Sequence, residues 1–551
     1  MSRSFRICRI AIGIQLMVLG AVVPIHGKDV TLMWDANSEP DLAGYRLHYG
    51  TISQTYTTTL NVGNVTSYTV RGLGEGAYYF VATAYNQAGL VSDYSNEVYI
   101  GPLSIFYPRL TAVGGEPAIF PEYTGVALVN LGQVKATLRL TAMDRSGGQP
   151  GGAGITNPAI VSLDPGEQVA FVDAQLFGSG LSAQSPVGSA RIDSSSASIA
   201  GFFLMFDANR TLLDGGSTVS APLTAAILPE VETAGFTTIT AINPHTDSVT
   251  ARIDLLGSDG NVRQSIQRTV QGNGALVADL ATELFPSLTL SDSDYVRVSS
   301  NPGVIPSQLT GSSGRYIGYL AGMDSTAGAT ALYSPQYATG GQWRSTLSIT
   351  NLDSFAGTVT FRLVGDDGIQ IGNTRTEAIA AAGKLYIDDQ TFFGQPPLVG
   401  GSTLTQGYVE VTSSGPRLNG SVKFGDSARS SFSTSLPLVS SLRNTLLFGH
   451  VASNDLWYTG LAIFNPNQGE AVATIDVLNP DGSPAMSRTE IIPTGRRISA
   501  LLTQYFPALV GADRTSGYIR VSVDKPVAAF ALFGTNNLSA LSAIPPQDVA
   551  P

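Results

Sequence analysis

The stretch that decides the fold is Gly125-Val-Ala-Leu-Val-Asn130, an apolar strand ending in asparagine, followed seventeen positions later by the turn glycine Gly147. The same two marks recur three times, as Asn243 and Gly260, Asn351 and Gly368, and Asn465 and Gly482. Successive asparagines are 113, 108 and 114 residues apart, so about 450 residues consist of one module repeated four times. A period of this length indicates one immunoglobulin-sized domain per repeat rather than a solenoid unit.

The segment between the two marks reads as a second strand in every repeat. Polar and apolar residues alternate over 137–141, 251–255, 359–363 and 474–478, which is the period of a strand with one buried face. The residue before the turn glycine is Asp259, Asp367 or Asp481 in three repeats and Ser146 in the first. Because tight hairpin turns require positive φ, glycine is favoured at the mark itself.

Each repeat then continues with a glycine, a phenylalanine ten or eleven residues later and a final strand. The glycine and phenylalanine pairs are Gly166 and Phe177, Gly274 and Phe285, Gly383 and Phe393, and Gly495 and Phe506. Segments such as 173–177 and 280–285 predict one short helical turn, and the final strands cover 190–192, 295–298, 407–411 and 517–521. Short strands punctuated by glycine and proline predict antiparallel sandwiches.

The sequence ahead of the repeats carries a different pattern. Val30-Thr-Leu-Met-Trp34 reads as strand B with a core tryptophan, 41–50 as strand C with Tyr45, and 66–70 as strand E before Tyr78. Residues 29–101, about 13% of the chain, resemble a fibronectin type III domain. The resemblance implies a seven-stranded sandwich used as a spacer or binding module, with the Tyr78 hydroxyl bonded back to the backbone at the tyrosine corner. It does not identify a ligand.

These patterns predict an all-β protein of tandem β-sandwich domains joined like beads on a string. The predicted domains are a signal peptide at 1–27, a fibronectin type III domain at 28–101, and sandwich repeats at 102–225, 226–331, 332–445 and 446–551. Glycine at 60 and proline at 30 of 551 residues make the chain rich in turns, and 43% hydrophobic residues are enough for globular cores.

The N-terminus predicts export. Arg3, Arg6 and Arg9 precede an apolar stretch at 10–23, which is typical of a secretory signal peptide with cleavage after Gly27. The alternative is a single membrane anchor. The one cysteine, Cys8, falls in the removed segment, and loss of three arginines changes the net charge from -11 to -14 (28 basic against 42 acidic residues). An acidic surface disfavours nucleic acid and anionic membranes as partners.

No combination of residues in the sequence predicts catalysis or a cofactor. The histidines His26, His48, His245 and His450 form no His-Glu-x-x-His pattern. Gly425-Asp-Ser427 is similar to the start of a lipase-like nucleophile block, but a turn is the simpler interpretation. The segments 291–294 and 365–368 are rich in aspartate, so solvated turns and calcium sites both remain open, and no metal site is predicted.

Four aromatic residues occupy related places and are the candidate ligand-binding residues. Trp343 and Trp457 each stand eight positions before the asparagine of their repeat, and Phe236 and Tyr123 lie one residue later in the other two repeats. A ring at the start of a strand can stack on a sugar. Such a ring can equally pack in a hydrophobic core or at the interface between two domains.

The sequence therefore predicts a non-enzymatic exported surface or matrix protein, monomeric, that acts in adhesion or as a structural interaction rod. The alternative is a polysaccharide-binding accessory protein whose repeated weak aromatic sites combine through avidity. The predicted partner is an extracellular protein or polysaccharide. The predicted location is secreted or at the cell surface, with the periplasm also open.

Overall fold

The computed structural model describes residues 10–12, 28–37, 39–52, 54–73, 78–100, 103–110, 123–183, 187–196, 198–394 and 404–547. These residues are mostly β-strand, so the predicted all-β fold class is confirmed. The described chain forms two compact units. Unit 1 contains the described residues up to Leu103 and a short segment at 194–196, and unit 2 contains the remainder. No helix among these residues is long and apolar enough to cross a membrane.

Unit 1 is a sandwich of two antiparallel sheets. Its strands are β1 (Ile10–Ile12), β2 (Lys28–Trp34), β3 (Leu42–Gly50), β4 (Thr58–Gly63), β5 (Ser67–Leu73), β6 (Tyr78–Asn86) and β7 (Val98–Ile100). One sheet has the order β1-β2-β5 and the other β4-β3-β6-β7. Trp34, Tyr45 and Phe80 are buried between them. Within the predicted signal peptide, 1–9 and 13–27 lie outside the described residues, as does the loop 74–77 beside the predicted tyrosine corner.

Unit 2 contains the four repeats, and the described residues of repeats 1 and 3 form eight strands in each. Repeat 1 comprises β8 (Leu103–Tyr107), β9 (Tyr123–Asn130), β10 (Ala136–Asp144), β11 (Ala159–Leu163), β12 (Gln168–Val172), β13 (Val187–Ser194), β14 (Ile199–Phe206) and β15 (Leu213–Ser217). Repeat 3 comprises β24 (Ala331–Thr339), β25 (Trp343–Asn351), β26 (Gly357–Gly365), β27 (Arg375–Ile379), β28 (Lys384–Ile387), β29 (Thr405–Ser413), β30 (Leu418–Asp426) and β31 (Ser433–Pro437).

Repeats 2 and 4 have the same plan, except that one long strand runs through both sheets. Repeat 2 comprises β16 (Leu223–Leu228), β17 (Phe236–Ile242), β18 (Val249–Leu256), β19 (Val262–Val270), β20 (Ala275–Asp279), the long β21 (Tyr295–Ser312), β22 (Tyr316–Ala321) and β23 (Met323–Asp324). Repeat 4 comprises β32 (Arg443–Phe448), β33 (Trp457–Phe464), β34 (Ala471–Leu478), β35 (Pro484–Ile492), β36 (Arg497–Leu501), the long β37 (Tyr518–Thr535) and β38 (Leu541–Ile544).

Every repeat has an outer sheet and an inner sheet. In repeat 1 the outer sheet has the order β11-β10-β13-β8 and the inner sheet β12-β9-β14-β15, and repeat 3 follows the same order. The predicted helical turn is present in three repeats, as α1 (Asp173–Phe177), the π-type turn Leu280–Leu284 and α2 (Leu502–Tyr505). Short 3₁₀ turns cover Ser179–Ala183 and Pro507–Leu509.

The recurring asparagine fixes the corner at the end of the first inner strand. The side-chain Nδ2 of Asn130 donates to the carbonyls of Val134 and Leu163, and its Oδ1 accepts from the backbone N–H of Gly132. Asn243, Asn351 and Asn465 make the same three kinds of bond. All four are buried. Their repetition therefore follows from a structural need, because buried backbone groups require partners.

The four repeats close into a ring, so the prediction of beads on a string is wrong. The strands β15, β22, β31 and β38 contact one another in a closed circle, with β38 returning to β15. The physical reason is visible in β14, whose sequence Ile199–Phe206 is apolar at successive positions and mostly buried. A strand covered on both faces loses the alternation that marks a half-exposed strand. The inner sheets are therefore covered by neighbouring repeats.

The turn glycines that mark the repeats lie at a second set of contacts between neighbouring repeats. Two residues before each glycine, a backbone carbonyl accepts an N–H from the next repeat. The pairs are Ala275 N to Arg145 O (3.1 Å), Lys384 N to Ser258 O (3.0 Å), Arg497 N to Asp366 O (3.3 Å) and Gln168 N to Pro480 O (2.7 Å). The last pair joins repeat 4 to repeat 1. A Cβ on Gly147 would lie 1.9 Å from the carbonyl oxygen of Gly272, so the glycine also permits this close approach.

Candidate functional site

The candidate sites of unit 2 lie at the seams between neighbouring repeats, which we call seams 1–2, 2–3, 3–4 and 4–1. Strand register relates the seams to one another. Leu204 pairs with the residue five positions before Asn130, and Lys423 pairs with the residue five positions before Asn351. Glu230 and His450 each lie two residues beyond the first outer strand of their repeat. Equivalent backbone positions can therefore be compared directly.

Seam 2–3 is closed by a buried ion cluster. Lys423 Nζ lies 3.1 Å from Glu230 Oε2 and 3.4 Å from Glu232 Oε2, and it donates to the hydroxyl of Thr310 at 2.8 Å. Ser421 and Ser435 donate to the two oxygens of Glu230 at 2.8 and 2.9 Å. Burial alone would lower the pKa of Lys423, but attraction by the two glutamates outweighs it and raises that pKa.

Further charges surround this cluster. Arg429 lies 3.6 Å from Glu232 Oε1 and 3.7 Å from Asp388, and Arg344 Nε donates to Asp388 at 2.9 Å. Lys384 is buried beside the seam, and its Nζ donates to the backbone carbonyls of residues 292 and 294 at 2.7 and 2.9 Å. Burial lowers the pKa of Lys384 to about 7. The space left here is about 30 Å³, enough for little more than a water molecule.

Seam 4–1 has the same backbone frame and the opposite chemistry. Leu204 stands where seam 2–3 has Lys423, and Phe202 stands where it has Ser421. Ala170, paired with the residue three positions before Asn130, replaces a tyrosine at the equivalent position of repeat 3. The smaller side chain contributes to an apolar pocket of about 260 Å³. Its lining includes Phe202, Leu204, Phe206, His450, Trp457 and Phe533.

His450 is one of the residues that line this pocket. Its ring lies 6.3 Å from that of Phe202 at an interplanar angle of 16°, and 6.2 Å from that of Phe533. The Nδ1 atom is buried and has no hydrogen-bond partner among the described residues. Desolvation by burial lowers the pKa of His450 to about 4, so the imidazole is neutral at pH 7.

Asp214 lies on β15, one of the four strands that contact one another in the closed circle. Its Oδ1 accepts hydrogen bonds from Thr434 at 3.1 Å and Ser542 at 2.6 Å, and its Oδ2 accepts one from the backbone N–H of Tyr319 at 2.7 Å. These partners belong to repeats 3, 4 and 2. Desolvation by burial raises the pKa of Asp214 to about 8, against the lowering effect of these hydrogen bonds. Asp214 thus ties the four repeats together.

The four aromatic residues predicted as ligand-binding do not form one repeated site. All four side chains are partly buried. Trp343 packs edge-on against Phe432 at 5.2 Å, whereas Trp457 lines the pocket at seam 4–1. Tyr123 stacks on a phenylalanine of its own inner sheet at 5.5 Å, and Phe236 lies over Gly311 of β21. Of the four, Trp457 therefore lies in the pocket at seam 4–1.

The aspartate-rich segments form turns and ion pairs in the structure. Asp294 pairs with Arg263 and accepts from the backbone N–H of Ser291. Asp366 pairs with Arg497 at 2.7 Å, and Asp367 accepts from the N–H of Ile369. Among the described residues no group of three or more His, Cys, Asp or Glu side chains could hold a metal ion.

Unit 1 carries an exposed aromatic cluster that the sequence analysis did not identify. Tyr94 is 50% exposed, and its ring lies 5.2 Å from those of both His48 and Tyr56 in edge-on geometry. The guanidinium of Arg46 lies 5.0 Å from the ring of Tyr85. Desolvation and then the charge of Arg46 lower the pKa of His48. The sequence signal that could have identified this cluster is the alternation of Arg46 and His48 with the buried residues of β3.

Comparisons with known proteins give little further information. No family model matches the chain. The Kelch domain-containing protein SSO1033 of Saccharolobus solfataricus is 40% identical over 82 residues, which are 15% of this chain and 11% of that protein. The chain therefore matches about a tenth of the length of that relative.

Two solved structures of α-L-rhamnosidases share 9% identity with this chain. The enzyme from Dictyoglumus thermophilum is matched over 78% of this chain and 48% of its own, with a TM-score of 0.15. The Streptomyces avermitilis enzyme, complexed with L-rhamnose, is matched over 93% of this chain and 56% of its own, with a TM-score of 0.13. Scores this low carry no argument about activity.

Proposed function

We propose that the protein is an exported, non-enzymatic interaction protein that binds its partner through the exposed aromatic face of unit 1. The observation that carries this proposal is the cluster that His48 of β3 forms with Tyr94 and Tyr56, which lie outside the strands. Exposed aromatic residues beside an arginine are the types enriched at the centres of binding surfaces. Export rests on the basic and apolar N-terminal sequence.

The cluster is held in place before any partner binds. The hydroxyl of Tyr56 donates to Glu97 at 2.6 Å, and the same carboxylate accepts from the backbone N–H of Gln54 at 2.8 Å. His48 makes hydrogen bonds with the hydroxyls of Thr59 and Thr83 at 2.9 and 3.0 Å. Side chains ordered in advance lose less conformational entropy on binding.

A fibronectin type III domain is the fold that we assign to unit 1 within this proposal. Support comes from β2 and β5 facing the four-stranded sheet β4-β3-β6-β7 and from the packing of Trp34 against Tyr45, whose ring centroids are 5.5 Å apart. In this account unit 2 serves as a rigid carrier, because each of its repeats is closed against two neighbours.

Polysaccharide binding is the second candidate. Aromatic rings stack on sugar faces, and the half-exposed ring of Tyr94 has hydroxyl and imidazole groups beside it that suit a sugar rim. An extracellular protein and a polysaccharide would therefore use the same face, so one set of variants tests both partners.

The test is binding of the full-length chain to a glycan array, to insoluble polysaccharides and to a panel of extracellular matrix proteins. Tyr94→Ala should abolish binding, because it removes the centre of the cluster. Tyr68→Ala is the matched control, since Tyr68 is 37% exposed on the other sheet of the same unit. Equal binding by both variants would place the binding surface elsewhere. Lack of binding by the wild type to every probe would remove the support for an interaction role with these partners.

A further inference from the structure

We infer that the apolar pocket at seam 4–1 is a second binding site, for a small uncharged planar molecule. This site is independent of the aromatic face on unit 1. An apolar cavity of about 150 Å³ is enough to hold benzene. The pocket here is about 260 Å³, so a two-ring molecule is the appropriate size.

The walls select for an uncharged aromatic ligand. Phe202, Phe206, Trp457 and Phe533 supply aromatic surface, and Leu204 supplies an aliphatic side. Aromatic rings pack favourably in edge-to-face and offset arrangements, which favours a flat guest. No Asp, Glu, Lys or Arg lies among the lining residues, so a charged guest would lose its hydration without compensation.

The ring of His450 offers this ligand an aromatic surface rather than a hydrogen bond. Its Nδ1 has almost no accessible surface and is buried against the protein, so a molecule in the pocket cannot reach it. The imidazole lies nearly parallel to the ring of Phe202 and extends the aromatic wall. The rim includes the exposed residues Gln175 and Thr515, which places the mouth of the pocket at the protein surface.

The comparison between seams indicates why the pocket is found here. At seam 2–3 the position equivalent to His450 is Glu230, which is saturated by two serine hydroxyls and a lysine. Tyr386 stands there in place of Ala170. The same frame therefore leaves about 30 Å³ at seam 2–3 and about 260 Å³ at seam 4–1.

The experiment is titration of the full-length chain with 2-naphthol, followed by calorimetry and by quenching of tryptophan fluorescence. The wild type should bind one molecule saturably. Ala170→Leu should weaken binding at least tenfold by filling the pocket, whereas Ala174→Leu, an equal addition at an exposed position of α1, should leave it unchanged. Circular dichroism checks that the variants fold.

A second variant tests the aromatic wall and does not depend on filling the pocket. Trp457→Ala should weaken binding of 2-naphthol at least fivefold, because the ligand loses a ring that lines the pocket. Equal affinity of the wild type and Ala170→Leu for 2-naphthol would overturn the proposal, as would a wild type without saturable binding. Neither result would bear on the aromatic face of unit 1.

Discussion

Seams 2–3 and 4–1 share one backbone arrangement, but charged side chains fill the first and apolar side chains line the second. At seam 2–3 a lysine, two glutamates and two serines satisfy one another in a nearly closed space. At seam 4–1 the equivalent positions carry Leu204, Phe202 and His450 around an open pocket. The backbone hydrogen bonds between repeats are retained at both seams.

This difference distinguishes the backbone contacts that close the ring from the side-chain interactions that vary between seams. The backbone contacts at the turn glycines recur in all four seams, so ring closure does not depend on any one kind of side chain. A buried ion pair stabilises little compared with apolar packing, but it is costly to break because it leaves an unpaired charge. A pocket lacks some of the van der Waals contacts of a packed core, and it leaves space for a bound molecule. Side chains at equivalent positions can therefore diverge in function while the frame stays constant.

The largest expected effect comes from breaking the ion cluster. Lys423→Leu places the residue of seam 4–1 into seam 2–3, leaves Glu230 without its cation and Glu232 with Arg429 alone, and should lower the free energy of unfolding by about 3–5 kcal/mol. Urea unfolding measures this change. Leu204→Met is the control at the equivalent position and should cost less than about 1.5 kcal/mol.

A triple variant sharpens the same comparison. This variant carries Glu230→His, Glu232→Ala and Lys423→Leu, which replace three residues of seam 2–3 with those at the equivalent positions of seam 4–1. It should recover most of the lost free energy of unfolding, because no unpaired charge remains. A loss below about 1 kcal/mol for Lys423→Leu alone would mean that the cluster is more hydrated than the buried geometry implies.

The next effect is a dependence on pH at seam 4–1. The pKa of His450 is about 4 in the fold and about 6.5 in the unfolded chain, so between these values the unfolded state binds more protons. His450 therefore contributes a stability that is present above pH 6.5 and lost as the pH falls toward 4, by about 2–3 kcal/mol.

Unfolding free energies of the wild type and His450→Gln at pH 7, 5.5 and 4 measure this contribution. Glutamine does not titrate in this range, so the variant should lose less stability on acidification. If both proteins lose stability in parallel, the neutral, desolvated state assigned to His450 is wrong.

The smallest expected effect comes from filling the pocket. Ala170→Leu should raise the free energy of unfolding by about 1–2 kcal/mol, since each newly buried methylene contributes about 0.8 kcal/mol. Ala462→Leu is the matched change in the tightly packed core at seam 3–4, where overpacking should cost about 1–3 kcal/mol. Thermal unfolding of both variants gives the signs. Destabilisation by Ala170→Leu of the same size as by Ala462→Leu would show that the pocket has no free space.

The elements of the fold could be predicted from the sequence because their signals are local. Alternation over 137–141 and its equivalents specifies a strand, and the Asp-Gly turns specify hairpins. Asn130 and its three equivalents were recognised by position, and the structure adds the reason, which is the capping of three backbone groups at a buried corner.

Ring closure could not be predicted in the same way, because its contacts join distant parts of the chain. Pro480 and Gln168 are 312 residues apart and meet through backbone atoms, which leave no trace in residue type. The unbroken apolar run Ile199–Phe206 was the available signal that the inner sheets are covered on both faces. Trp343 and Trp457 share a position in sequence, but their surroundings differ because the neighbouring repeats differ.

The measurement that tests ring closure most directly is a disulfide across seam 4–1. The hydroxyl of Ser539 lies 3.2 Å from the carbonyl oxygen of Arg210, 329 residues away in sequence. A chain carrying Cys8→Ser, Arg210→Cys and Ser539→Cys should form this bond within one molecule under mild oxidation, as read by non-reducing gel mobility and peptide mass. It should not form readily in denaturant. Free thiols in the oxidised native protein would contradict the closed ring and favour separate domains along an extended chain.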